Sequence, residues 1–152
     1  MRGPHGEELP GAVLFACTMN AVRSPMAAAL MNHLLGKFVR VESVGVRAGM
    51  PDPLAAAVME EIGIVLAAHQ PRRFEDMEDQ AFDLVITLSP EAQHKAMEMT
   101  RDSPTRIEYW RIADPTAVDG SREQRLAAYG AVRDDLLRRL KARFLAPPGA
   151  DT

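Results

Sequence analysis

The sequence predicts a single α/β domain of three layers, a four-stranded and mainly parallel sheet flanked by helices, with an anion-type loop joining the first strand to the first helix. Three observations carry that expectation. Short apolar runs alternate with longer helical periodicities along the chain, the pattern of βα units. The chain has 152 residues, 47% of them hydrophobic, which suits one domain with one well-filled core. The segment after the first strand carries a cysteine, an arginine and a Ser-Pro pair ahead of an apolar helix, where a sheet of this kind builds its anion cradle.

The elements follow in order. Residues 1–10 are polar, bear Gly and Pro and show no periodicity, so a flexible N-terminal tail is expected there, with the domain over 11–145 and a second tail over 146–152. Strands are expected at Ala12 to Ala16 (AVLFA), Val39 to Val44 (VRVESV), Leu84 to Leu88 (LVITL) and Arg106 to Trp110 (RIEYW). For the first helix, Ser24 is the expected N-cap, Pro25 suits the first helical position, and Met26, Leu30 and Leu34 recur before Gly36. Asp52 caps the second, with Pro53 at its start, Leu54, Val58 and Ile62 on one face and Gly63 as terminator. Ser89-Pro90 opens a third by the same logic. The last begins at Ser121, where Gln124 completes a capping box, and runs through Leu126, Tyr129, Val132, Leu136, Leu140 and Phe144. Its Arg-rich stretch from Arg133 to Arg143 is interleaved with Asp134, Asp135 and leucines, and reads as the solvated side of an amphipathic helix.

Charge and cysteine usage exclude several classes of partner. A net charge of -3 lacks the basic excess that a nucleic acid or an anionic membrane surface demands, so neither is expected as a partner. No stretch of eighteen apolar residues is present, and MRGPHGEELPG has no apolar segment that could act as a secretory signal, so a cytoplasmic location is expected. The single cysteine, Cys17, excludes an internal disulfide framework and any multi-Cys metal site. His5, His33 and His94 show no ligand spacing and read as surface or helix-face residues, so no metal and no cofactor are called for.

Residues 17–24 read Cys17-Thr18-Met19-Asn20-Ala21-Val22-Arg23-Ser24, with Arg23 six positions after the cysteine on a loop that closes into a helix N-terminus. Backbone N–H groups at that helix start are unsatisfied and point into the loop. The helix dipole adds positive potential, and the guanidinium offers a planar fork matched to two oxygens of a tetrahedral oxyanion. Such a field favours a thiolate, the nucleophilic form of cysteine. A lone cysteine is as readily a small buried packing residue; its place in the one loop already expected to hold an anion favours the chemical reading. Attack on a phosphomonoester also needs a proton donor for the departing oxygen. Asp114, in Ile-Ala-Asp-Pro directly after the last expected strand, should emerge on the same edge of the sheet, with Pro115 stiffening its turn.

The run Val13-Leu14-Phe15-Ala16-Cys17-Thr18-Met19-Asn20-Ala21-Val22-Arg23-Ser24-Pro25-Met26-Ala27, with Asp114-Pro115 far downstream, resembles the low-molecular-weight protein-tyrosine phosphatases and the arsenate reductases that share their fold. The resemblance extends over Val13 to Leu140 and includes Val41-Glu42-Ser43, Pro51-Asp52-Pro53, Gly63-Ile64, His69 and Phe82-Asp83-Leu84-Val85-Ile86-Thr87. It implies Cys17 as nucleophile, Arg23 as phosphate and transition-state clamp, and Asp114 as general acid and then base, on a phosphorylated substrate such as protein phosphotyrosine or a small aryl phosphate, or on a free oxyanion. It further implies that Asn20, Ser24, Ser43 and His69 form a polar network stiffening the phosphate loop, with the Ser24 hydroxyl stabilising the thiolate.

The chain departs from the family pattern at four places. Met19 stands where glycine is usual, and its side chain is expected to point outward, to substrate or solvent. Val22 replaces the second cysteine that many members use to trap an oxidised nucleophile, so Cys17 has no internal resolving thiol. Thr116 and Ala117 follow Asp114-Pro115 where tyrosines are common. Val44 to Met50 contains no aromatic residue to wall a cleft. Two rivals to hydrolysis therefore remain at this stage. A single-cysteine arsenate reductase would need an external small thiol, because no cysteine relay exists; a non-catalytic phosphate-binding module would need neither a nucleophile nor an acid.

Overall fold

The computed structural model describes residues 2–4, 6, 8–66 and 69–145. Four strands, β1 (Ala12–Cys17), β2 (Arg40–Gly45), β3 (Leu84–Thr87) and β4 (Arg106–Tyr109), form one sheet in the order β2-β1-β3-β4, every pair parallel. The helices are α1 (Arg23–Leu35), α2 (Pro53–Glu60), α3 (Pro90–Met99) and α4 (Arg122–Phe144). Short 3-10 turns lie at Phe74–Met77 and Pro115–Ala117. The chain leaves β1 to one side for β2 and returns to the other for β3, so the carboxyl end of β1, where Cys17 sits, is the switch point of the sheet.

All six residues of β1 are buried because both faces of the sheet are covered. The period-2 alternation of a strand divides them between two cores. Val13, Phe15 and Cys17 join Leu84 and Ile86 of β3 in the larger core, packed by Met26, Leu30, Val58, Tyr129, Leu136 and Leu140 from α1, α2 and α4. Ala12, Leu14 and Ala16 join Val85 in the smaller one, against Phe74, Met77, Phe82 and the small Ala92 and Ala96 of α3. Asp83 ties the start of β1 to β3, its Oδ2 accepting from the Ala12 N–H at 2.8 Å. The larger core reaches back to Leu9, ahead of the expected domain start. The expected C-terminal tail, 146–152, and His5 lie outside the described residues. Among the described residues no helix is long and apolar enough to cross a membrane.

The helix-end signals were read correctly at three starts. Asp52 caps α2 by accepting from Leu54 N and Ala55 N, Ser89 caps α3 through Ala92 N, and Ser121 with Gln124 makes the capping box of α4. The end of α2 is a Schellman motif: Gly63 adopts φ 78°, Gly63 N donates to Glu60 O at 2.9 Å and Ile64 N to Met59 O at 3.0 Å. This turns Ile64 inward and leaves Ile62, expected on the buried face, 40% exposed. The start of α1 also differs from expectation. The helix opens at Arg23, its N-cap position is Val22, and Ser24 is not a cap but a fully buried residue of the first turn. Its hydroxyl is claimed by tertiary partners across the loop rather than by the helix N–H groups.

Candidate active site

The loop from Cys17 to Arg23 is held at the carboxyl edge of the sheet by its own backbone against the loop after β2. Val46 N donates to Cys17 O at 3.1 Å, Arg47 N to Thr18 O at 2.8 Å and Gly49 N to Met19 O at 2.8 Å. Gly45 permits this approach: a Cβ there would lie 2.6 Å from Asn20 N and 2.8 Å from the Met19 carbonyl carbon. Thr18 Oγ1 donates to Ser89 Oγ at 3.1 Å, joining the loop to the head of α3.

Cys17 Sγ, 2% exposed at the residue level, lies 2.9 Å from Ser24 Oγ and accepts from Ser24 N at 3.4 Å. The Ser24 N–H at the head of α1 and the Ser24 hydroxyl therefore converge on the sulfur, together with the positive end of the helix dipole. Behind the loop, Asn20 adopts the left-handed conformation at φ 52°. Its Nδ2 donates to Ser24 Oγ at 2.8 Å and to Ser43 Oγ at 3.0 Å, and its Oδ1 accepts from Arg72 N at 2.8 Å. His69 Nε2 donates to the Asn20 carbonyl at 2.9 Å. Burial, opposed in part by that bond and assisted by the nearby Arg72 charge, lowers the His69 pKa below its ordinary 6.5, so the ring is neutral with its proton on Nε2. The four residues of the expected network thus meet in one hydrogen-bonded cluster.

Arg23 opens α1 and turns its guanidinium across the loop. Nη1 donates to the carbonyls of Leu88, just past β3, and Ile112, past β4, each at 3.2 Å. Those anchors leave Nη2 directed into the cleft, 3.9 Å from Asp114 Oδ2. Asp114 caps the turn that follows it, its Oδ1 accepting from Thr116 N at 3.0 Å and Thr116 Oγ1 at 2.6 Å. Its side chain is 45% exposed, at the mouth of the cleft, whereas Arg23 is 12% exposed at its base. Cys17, Arg23 and Asp114, distant in sequence, all line one cleft of about 320 Å³. Met19 does point outward, its side chain lying over Gly49 at the cleft wall, and Met50 and Thr116 line the same space.

Of the residues set aside, His33 and His94 are exposed on helix faces, His94 beside Glu98. Among the described residues no group of three or more His, Cys, Asp or Glu side chains could hold a metal ion. Sequence reasoning missed Arg72, Ser89 as a partner of the loop, and Glu91, which lines the cleft and pairs with Arg47 at 3.2 Å. Only Ser89 carried a signal, as a helix cap.

Such an arrangement can bind a tetrahedral oxyanion, attack it with sulfur and deliver a proton from a carboxyl group opposite. Residues 12–146 match the family described as low molecular weight phosphotyrosine protein phosphatase. The chain is 33% identical over 129 residues to an arsenate reductase of Bacillus subtilis strain 168, covering 85% of this chain and 91% of that protein. Among solved structures it is similar to an arsenate reductase in a phosphate-binding state, at TM-score 0.73 and 25% identity over 88% of this chain and 96% of the other. A mutant of the arginine phosphatase YwlE with a phosphorylated active-site serine aligns at TM-score 0.72 and 25% identity, covering 88% and 93%. A parallel sheet with a thiol at its switch point, a match spanning nearly the whole domain and relatives of both chemistries agree: this chain belongs to the low-molecular-weight phosphotyrosine protein phosphatase family, enzymes of the cysteine-based phosphatase type.

Proposed function

We propose that the chain hydrolyses phosphomonoesters through a phosphocysteine on Cys17. The observation that carries this reading is the convergence of Ser24 Oγ and N on Cys17 Sγ in a cleft that also holds Arg23 and Asp114. The phosphoryl group sits in the loop, held by backbone N–H groups and by the free edge of Arg23. The Cys17 thiolate attacks phosphorus from below as the leaving oxygen takes a proton from Asp114 above. Asp114, now a carboxylate, accepts a proton from the water that attacks phosphorus, releasing phosphate and the Cys17 thiolate. Arg23 and the loop donors stabilise charge on the equatorial oxygens in both steps. The substrate is a protein phosphotyrosine or a small aryl phosphate, gripped by Met19, Met50 and Thr116 without aromatic stacking. The activity belongs in the cytoplasm, where a lone thiol stays reduced.

In the test, purified protein hydrolyses p-nitrophenyl phosphate in the presence of a chelator, is competitively inhibited by phosphate and vanadate, and loses activity as Cys17→Ser. Full activity in that variant would overturn the reading. Asp114→Asn slows poor leaving groups far more than good ones; equal slowing removes Asp114 as the acid.

The arsenate reductase relatives favour a second reading. Cys17 would displace hydroxide from arsenate, and an external small thiol would attack the arsenylated sulfur, releasing arsenite and leaving a mixed disulfide that a second thiol reduces. Thiol-dependent arsenite formation without phosphatase activity would select it.

A further inference from the structure

Asn20 is the one non-glycine residue at positive φ among the described residues, a left-handed conformation that asparagine adopts more readily than other side chains and that bonds from its surroundings hold in place. Two of the bonds that hold it come from outside both the loop and β2, from the irregular stretch between α2 and the Phe74–Met77 turn: His69 Nε2 to the Asn20 carbonyl and Arg72 N to Asn20 Oδ1. Arg72 is the residue that fixes this stretch. Its carbonyl accepts from Gly45 N at 2.8 Å, and its Nη2 donates to Glu42 Oε2 at 2.6 Å and to Ser43 O at 3.3 Å. Backbone carbonyl and side chain together fasten Arg72 to Glu42, Ser43 and Gly45 at the end of β2, and its backbone N–H meets Asn20 Oδ1. Arg72 does not line the cleft, so it does not touch an oxyanion held there, and its bonded route to one runs through the loop.

We propose that Arg72, anchored by Glu42, is a positioning residue that holds Asn20 left-handed and so fixes the phosphate loop in its binding shape. The ion pair sets where the Arg72 N–H points. When it is lost, the N–H remains but the segment carrying it is tied to β2 by fewer bonds, and Asn20 Oδ1 loses a partner of fixed direction. This rests on the hydrolase reading only for the choice of substrate, and phosphate affinity tests it independently of turnover.

A double-mutant cycle isolates the coupling. Arg72→Ala, Asn20→Ala and the double variant are compared with the full chain for inorganic phosphate affinity by calorimetry and for kcat and KM on p-nitrophenyl phosphate. The expected result is that Arg72→Ala weakens phosphate binding and lowers kcat by about fivefold to tenfold, while in the Asn20→Ala background it changes either by less than about twofold. Arg72→Lys, which keeps a cation opposite Glu42, recovers most of the loss. Glu42→Gln leaves the backbone intact, and the same cycle run with it decides the question if Arg72→Ala fails to fold. Equal losses in both backgrounds, or wild-type affinity and kcat in Arg72→Ala, would overturn the proposal. A wild-type protein that binds phosphate without turnover overturns the hydrolase reading instead, and the affinity cycle still judges Arg72.

Discussion

Gly45→Ala should damage catalysis far beyond its effect on stability. The added methyl group would sit 2.5 Å from Arg47 O, 2.6 Å from Asn20 N and 2.8 Å from the Met19 carbonyl carbon, all backbone atoms that no rotamer change can move aside. Ordinary contact begins at 3.4 Å, so the phosphate loop must retreat by roughly 0.8 Å. Overpacking of this kind costs about 1 to 3 kcal/mol of stability. A displacement near 1 Å in a catalytic constellation costs on the order of a hundredfold in rate. Gly63→Ala is the matched control. Gly63 lies at φ 78° with nothing within 4 Å of the added carbon, so its cost, about 1 kcal/mol, is conformational and remote from the cleft. Urea denaturation and kcat/KM on p-nitrophenyl phosphate, measured for both, separate the two effects. If Gly45→Ala keeps wild-type kcat/KM, or if Gly63→Ala loses activity in proportion to its stability, the close approach of β2 does not shape the phosphate loop.

Three further predictions concern groups around the site. His69 has its pKa lowered in the fold, so its neutral form contributes stability that is present above about pH 6.5 and is lost as pH falls through the folded value; urea midpoints at pH 7.5 and pH 5.0 should differ less for His69→Gln than for the parent. Tyr129 donates to Asp52 Oδ2 at 2.7 Å, and burial with the adjacent carboxylate raises its phenol above the ordinary range; Tyr129→Phe should cost about 1.5 kcal/mol by urea denaturation. Thr116→Val removes the 2.6 Å bond that orients Asp114 while keeping the backbone bond; kcat on phenyl phosphate should fall about fivefold, the equivalent of about 1 kcal/mol of positioning, with p-nitrophenyl phosphate less affected.

What could be read in the sequence divides by the range of the interaction. Caps at Asp52, Ser89 and Ser121 were legible because a side chain there bonds to backbone two or three residues ahead, so residue type and spacing contain the whole interaction. That Cys17, Arg23 and Asp114 would meet was legible because Cys17 closes β1, Arg23 opens the helix that follows and Asp114 lies in the loop after β4, and parallel strands deliver their carboxyl ends to one edge. Ser24 was misread as a cap because its partners, Cys17 Sγ and Asn20 Nδ2, depend on how the loop folds back. Ile62 was misread because helical periodicity does not show where a Schellman turn cuts it, and Ile64 takes the buried place instead. Arg72 left no local trace, since everything it holds lies at least twenty-seven positions away in Gly45, Ser43, Glu42 and Asn20.

The misread serine also has the most to say about turnover. Ser24 Oγ carries one proton and accepts another bond from Asn20 Nδ2, and it lies 2.9 Å from Cys17 Sγ and 3.2 Å from the Val44 carbonyl. With Asn20 donating to it, the hydroxyl has one bond to give and two acceptors to choose between. In the proposed cycle a Cys17 thiolate would take it, because hydrogen bonds to an ionised partner are the stronger. Once sulfur carries a phosphoryl group it is a poor acceptor, and the same proton can rotate to Val44 O without any heavy atom moving. On hydrolysis it turns back to meet the charge returning to sulfur. In the proposed reaction the network behind the loop would follow the charge on Cys17 by a hydroxyl rotation alone, with the loop geometry unchanged. That is the work a rigid Asn20 makes possible, since a hydroxyl whose accepted bond wandered would have no fixed pair of alternatives.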